Sequence, residues 1–166
     1  GLNMETDFWL ERWQRGETGF HQADVNGDLR THWAAVGAPR ADSVFVPLCG
    51  RSRDMVWLRS LGHRVIGVEL SDLAVQGFFA DLGLVPDRSE SHGLEVCQAA
   101  GYTLYRGDLF ALTAEDVSAC GAVYDRAALI ALPPAMRQRY VQHLRAILPA
   151  AANTLLLTMD YPQQQM

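Results

Sequence analysis

From Asp42 onward, short apolar runs alternate with helical periodicities, which predicts an α/β fold of the Rossmann-like kind, a mostly parallel sheet with helices on both faces. Three observations carry this. The runs 44–46, 64–68 and 122–124 are short, rich in valine and bounded by turn residues, as buried parallel strands are. The segments between them place apolar residues three and four apart. An acidic residue or a glycine stands just past several strand runs (Gly50, Glu69, Asp108, Asp125), at the sheet edge where ligands of such folds lie.

Taken in order, residues 7–14 and 26–36 read as helices, the second with Val25, Leu29, Trp33 and Val36 on one side. The strand 44–46 is ended by Pro47, and a helix over 53–61 follows, capped by Ser52 and stopped by Gly62. Strand 64–68 ends at Glu69, and Ser71 caps a helix whose Val75, Phe78, Phe79 and Leu82 share one face. The runs 94–98 and 102–106, separated by Ala99, Ala100 and Gly101, form a hairpin or an edge strand. Thr113 with Asp116 resembles a capping box and predicts a short helix before the strand 122–124. Pro133 and Pro134 open a helix with Met136, Tyr140, Val141, Leu144 and Leu148 on one face, closed by Pro149. The run 154–158, with three consecutive leucines, reads as a strand covered on both faces and so central in its sheet.

A chain of 166 residues, 49% apolar, supports one core and so a single domain. The formal charge of -5, with Lys and Arg scattered singly, argues against nucleic acid as a partner. No apolar run approaches the roughly 20 residues of a membrane span, and a signal peptide is not evident, so a soluble cytoplasmic protein is expected. The three cysteines, Cys49, Cys97 and Cys120, form no CxxC pair, and the five histidines show no ligand spacing. No disulfide framework and no metal are expected.

The chemistry is expected at the strand ends Leu48-Cys49-Gly50, Glu69 and Asp108. Glycine at position 50 allows close approach of a ligand, and a carboxylate about 20 residues later accepts from both ribose hydroxyls. That pair also fits an ordinary turn. A dinucleotide pyrophosphate would demand G-x-G-x-x-G, whereas PLCGRSRDM holds a single glycine. An adenosyl ligand without phosphates makes no such demand, which favours S-adenosylmethionine over NAD. Cys49 beside this loop is read as a buried small thiol, since methyl transfer needs no protein nucleophile.

The blocks FWLERWQRGETGFHQADVN, VFVPLCGRSRDMVWL, VIGVELS, GDLFALT and YDRAALIALPPAMRQRYVQHL closely resemble the thiopurine S-methyltransferase family over residues 7–161. The resemblance implies a class I S-adenosylmethionine-dependent methyltransferase, with a helical lid over 4–36 and an α/β core over 42–161. It assigns Leu48 and Gly50 to the methionine and ribose part of the cofactor site and Glu69 to the ribose. Asp108 and Leu109 would flank the adenine. Trp9 and Trp13 match cofactor-contacting positions; four apart on one helical face, they equally suit a hydrophobic staple onto the sheet. Phe20, between Gly16 and Gly19, matches a position that packs on an aromatic substrate, with core packing as the alternative.

Arg126 matches an arginine beside substrate and cofactor, where it can hold a heteroaromatic thiol as its thiolate; a salt bridge to a nearby carboxylate is the other reading. Asp125 is a second candidate catalytic residue, bonding the cofactor ammonium or orienting Arg126. His21 touches substrate or caps the lid. The resemblance also implies further strands after Tyr161 that close the sheet, so the chain is read as a bacterial member shortened at its C-terminus, monomeric in its full-length form. The expected reaction is in-line methyl transfer to small aromatic or heterocyclic thiols. Two alternatives are methylation of selenium or tellurium compounds for detoxification, and cofactor binding without catalysis.

Overall fold

The computed structural model describes residues 25–39, 42–126 and 132–157. In chain order these form α1 (Gly27–Val36), β1 (Ser43–Pro47), α2 (Arg53–Ser60), β2 (Arg64–Glu69), α3 (Asp72–Asp81), β3 (Asp87–Ser91), β4 (Leu94–Ala99), β5 (Tyr102–Arg106), a 3-10 turn (Leu109–Ala111), β6 (Cys120–Arg126), α4 (Pro134–Ile147) and β7 (Asn153–Leu157). The sheet runs β3-β4-β5-β2-β1-β6-β7. β5, β2, β1, β6 and β7 are parallel, while at one side β4 runs antiparallel to both of its neighbours, β5 and β3. The chain builds outward from β1 in one direction to β5 and then crosses to β6. The switch point therefore lies between β1 and β6.

Helix starts follow local chemistry. The Asn26 side chain accepts from the N–H groups of Asp28 and Leu29, Ser52 from Asp54, and Ser71 from Ala74. Gly37, at φ 74°, closes α1 in the left-handed region that glycine adopts without strain.

Alternation along each strand feeds two cores. Phe45, Ile66, Val68, Tyr105 and Val123 face α4 and the 3-10 turn. Val44, Val46, Val65, Leu104, Ala122 and Tyr124 face α1, α2 and α3. Leu29 and Trp33 of α1 are buried in this second core, and Asn153 donates to the Val36 carbonyl at 2.9 Å. Residues 27–36 thus pack as a layer on the sheet, and the rest of the expected lid, residues 4–24, lies outside the described residues.

Buried polar groups tie α1 to the sheet. Asp54, in the first turn of α2, accepts from the Asn26 N–H at 2.7 Å and the Tyr124 hydroxyl at 2.6 Å. Trp33 Nε1 donates to His63 Nε2 at 3.2 Å, so the imidazole proton sits on Nδ1, which donates to the Asp42 carbonyl.

The hairpin of 94–98 with 102–106 forms as read, and three expectations change. The segment 87–91 is a strand that its polar sequence, DRSES, did not signal; it pairs with β4, which places 94–98 inside the sheet. The capping-box residues form no helix: the Asp116 carboxylate accepts from both the N–H and hydroxyl of Thr113, but only turns follow before β6. Too few residues separate Asp116 from Cys120 to propagate one. The buried stripe of α4 is Met136, Tyr140 and Ile147, with Val141 and Leu144 only half-buried. β7 pairs with β6 and is the last strand among the described residues, with Leu156 44% exposed.

Candidate functional site

Because the central strands are parallel, their carboxyl ends share one edge of the sheet. Leu48 to Gly50 leave β1, Glu69 ends β2, Asp108 follows β5, and Asp125 and Arg126 end β6. Register sets their heights: Pro47 pairs with Val68, so Leu48 stands level with Glu69, and Glu69 pairs with Arg106 two residues before Asp108.

The β1 exit is strained. Leu48 at φ 50° and Gly50 at φ 58° both occupy the left-handed region, which costs a leucine about 1–2 kcal/mol. Neighbouring contacts compensate. Cys49 N–H donates to the Val68 carbonyl at 3.0 Å, and the Cys49 side chain is buried against Gly67, where a Cβ would stand 2.8 Å from Cys49 Sγ and 2.9 Å from Leu104 Cδ2. Arg51 makes a two-pronged ion pair with Asp81 and lies over Gly77, fastening the loop to α3.

Glu69 is buried, and its two oxygens accept from different amides: Oε1 from Gly50 N–H and Oε2 from Ser71 N–H, both at 2.9 Å. The carboxylate is therefore fixed in position before any ligand arrives, and each oxygen can accept more than one hydrogen bond. Its backbone carbonyl accepts from Gly107 N–H at 2.9 Å, joining the β2 and β5 exits.

Asp108 caps the 3-10 turn through Oδ1, which accepts from Phe110 N–H at 2.8 Å. Its Oδ2 is buried with no hydrogen-bond partner. A buried acceptor of this kind costs about 1–3 kcal/mol unless a ligand supplies a donor. An adenine exocyclic amine is such a donor, so the residues present fit the adenosyl group.

At the β6 end, Asp125 is buried and Oδ2 accepts from the Tyr140 hydroxyl at 2.5 Å. Burial first, and the Asp125 charge second, push the Tyr140 phenol well up, so it remains a donor at any working pH. Arg126 ends the strand opposite Leu157 of β7. Trp9, Trp13, Phe20 and His21 lie outside the described residues.

Three partnerships were not anticipated from sequence: Ser71 N–H on Glu69, Tyr140 on Asp125, and His143 on the Leu109 carbonyl. The signal for the last two was present in the spacing Met136, Tyr140, His143, Ile147, a helical stripe whose polar tips point at the sheet end.

Cys49 at the site is not a nucleophile, and neither of the other two thiols is. Burial, and then the Glu69 charge, push Cys49 well up; burial pushes Cys120 to about 12 and also raises Cys97. At pH 8 the Cys120 thiolate is about one molecule in 10⁴, against roughly a quarter for an ordinary thiol. The native protein is expected to give almost no rapid reaction with Ellman's reagent at pH 8, and three thiols in guanidinium. A fast native thiol would contradict the packing of these residues.

The topology and the strand-end site define a class I methyltransferase fold. The family model described as thiopurine S-methyltransferase (TPMT) matches residues 4–166. The thiopurine S-methyltransferase of Xanthomonas campestris pv. campestris (strain 8004) is 52% identical over 162 residues, covering 98% of this chain and 74% of its own length. That of Pseudomonas syringae pv. pisi is 48% identical over 160 residues, covering 96% and 73%. Among solved structures, a TehB-like SAM-dependent methyltransferase from Corynebacterium glutamicum superposes with a TM-score of 0.56 at 18% identity, over 93% of this chain and 72% of that one. The glycopeptide N-methyltransferase MtfA complexed with S-adenosyl-L-methionine gives 0.58 at 21% identity, over 82% and 56%. The chain belongs to the thiopurine S-methyltransferase family and is an S-adenosylmethionine-dependent methyltransferase.

Proposed function

We propose that this chain transfers a methyl group to the sulfur of small aromatic or heterocyclic thiols, thiopurines among them. The observation that carries the acceptor class is the 52% identity, across 98% of the chain, to a protein named for that reaction.

In this reading Leu48, Gly50 and Glu69 hold the ribose and methionine part of S-adenosylmethionine, and Asp108 with Leu109 flanks its adenine. Glu69, held by two backbone amides, accepts from the ribose hydroxyls. Asp108 Oδ2 accepts from the adenine amine. When bound, the cofactor supplies a methyl group already activated on sulfonium, so the protein contributes alignment and exclusion of water rather than a nucleophile. Arg126 sits beside the acceptor and favours its thiolate, and Asp125, braced by Tyr140, orients the β6 end. Trp9 and Trp13 are read as cofactor contacts and Phe20 as a contact of the aromatic acceptor. No described helix is long and apolar enough to cross a membrane, and the reaction is assigned to a monomer in the cytoplasm.

Incubation with S-adenosylmethionine and 6-mercaptopurine, followed by mass analysis, should give S-methylmercaptopurine. Arg126→Ala is expected to lower kcat/KM for the thiol by about tenfold or more, with the larger effect at low pH where the acceptor is protonated. Cofactor binding without methylation of any aromatic thiol would remove the acceptor claim, and volatile methylated selenium or tellurium products would move it to inorganic species.

A further inference from the structure

The 3-10 turn that carries Asp108 is gripped from across the domain by α4. His143 Nε2 lies 2.9 Å from the Leu109 carbonyl oxygen. A carbonyl only accepts, so the hydrogen is on Nε2 and His143 is the donor. The same imidazole packs on Phe110 with ring centroids 5.3 Å apart, and the Arg139 guanidinium stands 4.5 Å from the centre of that ring. The cap and the first two residues of the turn are thereby held: Asp108 by its own bond to Phe110 N–H, Leu109 by His143, and Phe110 by His143 and Arg139. What the grip leaves aimed and unpaired is Asp108 Oδ2.

We propose that His143 is a positioning residue for the adenine end of the cofactor site, acting through the Leu109 carbonyl to fix the turn that presents Asp108. The proposal rests on Asp108 being the adenine ligand. Burial lowers the His143 pKa, although the Leu109 carbonyl opposes the shift, and the ring is therefore neutral near pH 7 with its single hydrogen committed to Leu109. Losing this donor leaves the Leu109 backbone without its side-chain partner and lets the turn wander, which weakens every bond that depends on where Oδ2 points. The acceptor thiol, read beside Arg126 at the β6 end, does not depend on the turn.

The test measures calorimetric affinity for S-adenosylhomocysteine and for S-inosylhomocysteine, in which an oxygen replaces the exocyclic amine. Wild type, His143→Phe, His143→Gln and Asp108→Ala are compared. The phenylalanine keeps a ring on Phe110 and removes the donor; the glutamine returns an N–H near the Nε2 position. His143→Phe is expected to lose about five- to tenfold in affinity for S-adenosylhomocysteine, to lose part of the preference over the inosine analogue, and to keep its KM for the thiol; His143→Gln stays within about twofold of wild type. Unchanged affinity and preference in His143→Phe, with preference abolished in Asp108→Ala, overturn the proposal alone. Equal weakening of both ligands without rescue by glutamine also overturns it, as a general loss of packing. An unchanged preference in Asp108→Ala overturns the adenine reading and the proposal with it.

Discussion

Glu69→Ala should bind S-adenosylhomocysteine at least about tenfold more weakly than wild type, because a bidentate contact from a carboxylate to two hydroxyls is worth about 1.5–3 kcal/mol. The expectation depends on the carboxylate being fixed in advance by Gly50 N–H and Ser71 N–H, so that the ligand does not bear the cost of ordering it. Glu69→Gln should lose nearly as much. An amide has one acceptor oxygen, and whichever way it turns, its NH₂ faces one of the two backbone N–H groups. The same geometry predicts a small loss of thermal stability in both variants, since Leu48 is held at φ 50° in the turn that Glu69 secures. Calorimetric titration reads the first effect and thermal unfolding the second. Unaltered affinity in Glu69→Ala would take this residue out of the site.

Asp54→Ala should be the most destabilising single change at the described polar contacts, by about 3–5 kcal/mol in denaturant unfolding. Asp54 is 2% exposed and joins three elements: its own helix α2, the start of α1 through Asn26 N–H, and β6 through the Tyr124 hydroxyl. Its removal leaves a buried phenol and an amide without acceptors. Burial is the largest cause raising the Tyr124 phenol and persists in the variant, so the stranded hydroxyl cannot escape by ionising. Tyr124→Phe should cost less, because the phenyl ring and its packing survive. The double variant should show a coupling of about 1–3 kcal/mol, since the second change removes a group the first has already stranded. Additive effects would mean that the 2.6 Å bond contributes little.

The parts of this fold that were legible in sequence are those where pattern and chemistry coincide. Val44, Val46 and Val65 fill one side of the sheet and Phe45, Ile66 and Val68 the other, so the runs themselves announced strands covered on both faces. Ser52 and Ser71 announced their helices because cap geometry is local. Strand β3 was invisible for the opposite reason. Its residues are polar and exposed, and what makes it a strand is the β4 backbone beside it, a tertiary partner that no local pattern records. Thr113 and Asp116 made the reverse error possible: their hydrogen bonds are those of a helix start, but the chain is needed at Cys120 too soon for a helix.

At the site, the backbone-borne features could be read and the braces could not. Gly50, Glu69, Asp108 and Asp125 stood out as strand ends, and the resemblance supplied Arg126 and the individual roles. That Asp125 is occupied by Tyr140, and the Asp108 turn by His143, depends on how α4 lies against the sheet. The face of α4 is read from sequence as Met136, Tyr140, Val141, Leu144 and Leu148; Met136 and Tyr140 are buried as expected, but Ile147 completes the buried stripe, while Val141, Leu144 and Leu148 pack on the core only partly buried. Hydrophobicity alone favoured the aliphatic face; the polar tips of a tyrosine and a histidine marked the face that meets the site.

The structure of the S-adenosylhomocysteine complex tests the central claim, that the ends of β1, β2 and β5 form the cofactor site. The ribose hydroxyls should lie within hydrogen-bond distance of the Glu69 carboxylate and the adenine amine within that distance of Asp108 Oδ2, with Leu48 and Gly50 against the sugar and the amino-acid tail. A nucleoside seated elsewhere, with Glu69 still bonded only within the protein and Asp108 Oδ2 still without a donor, would contradict it.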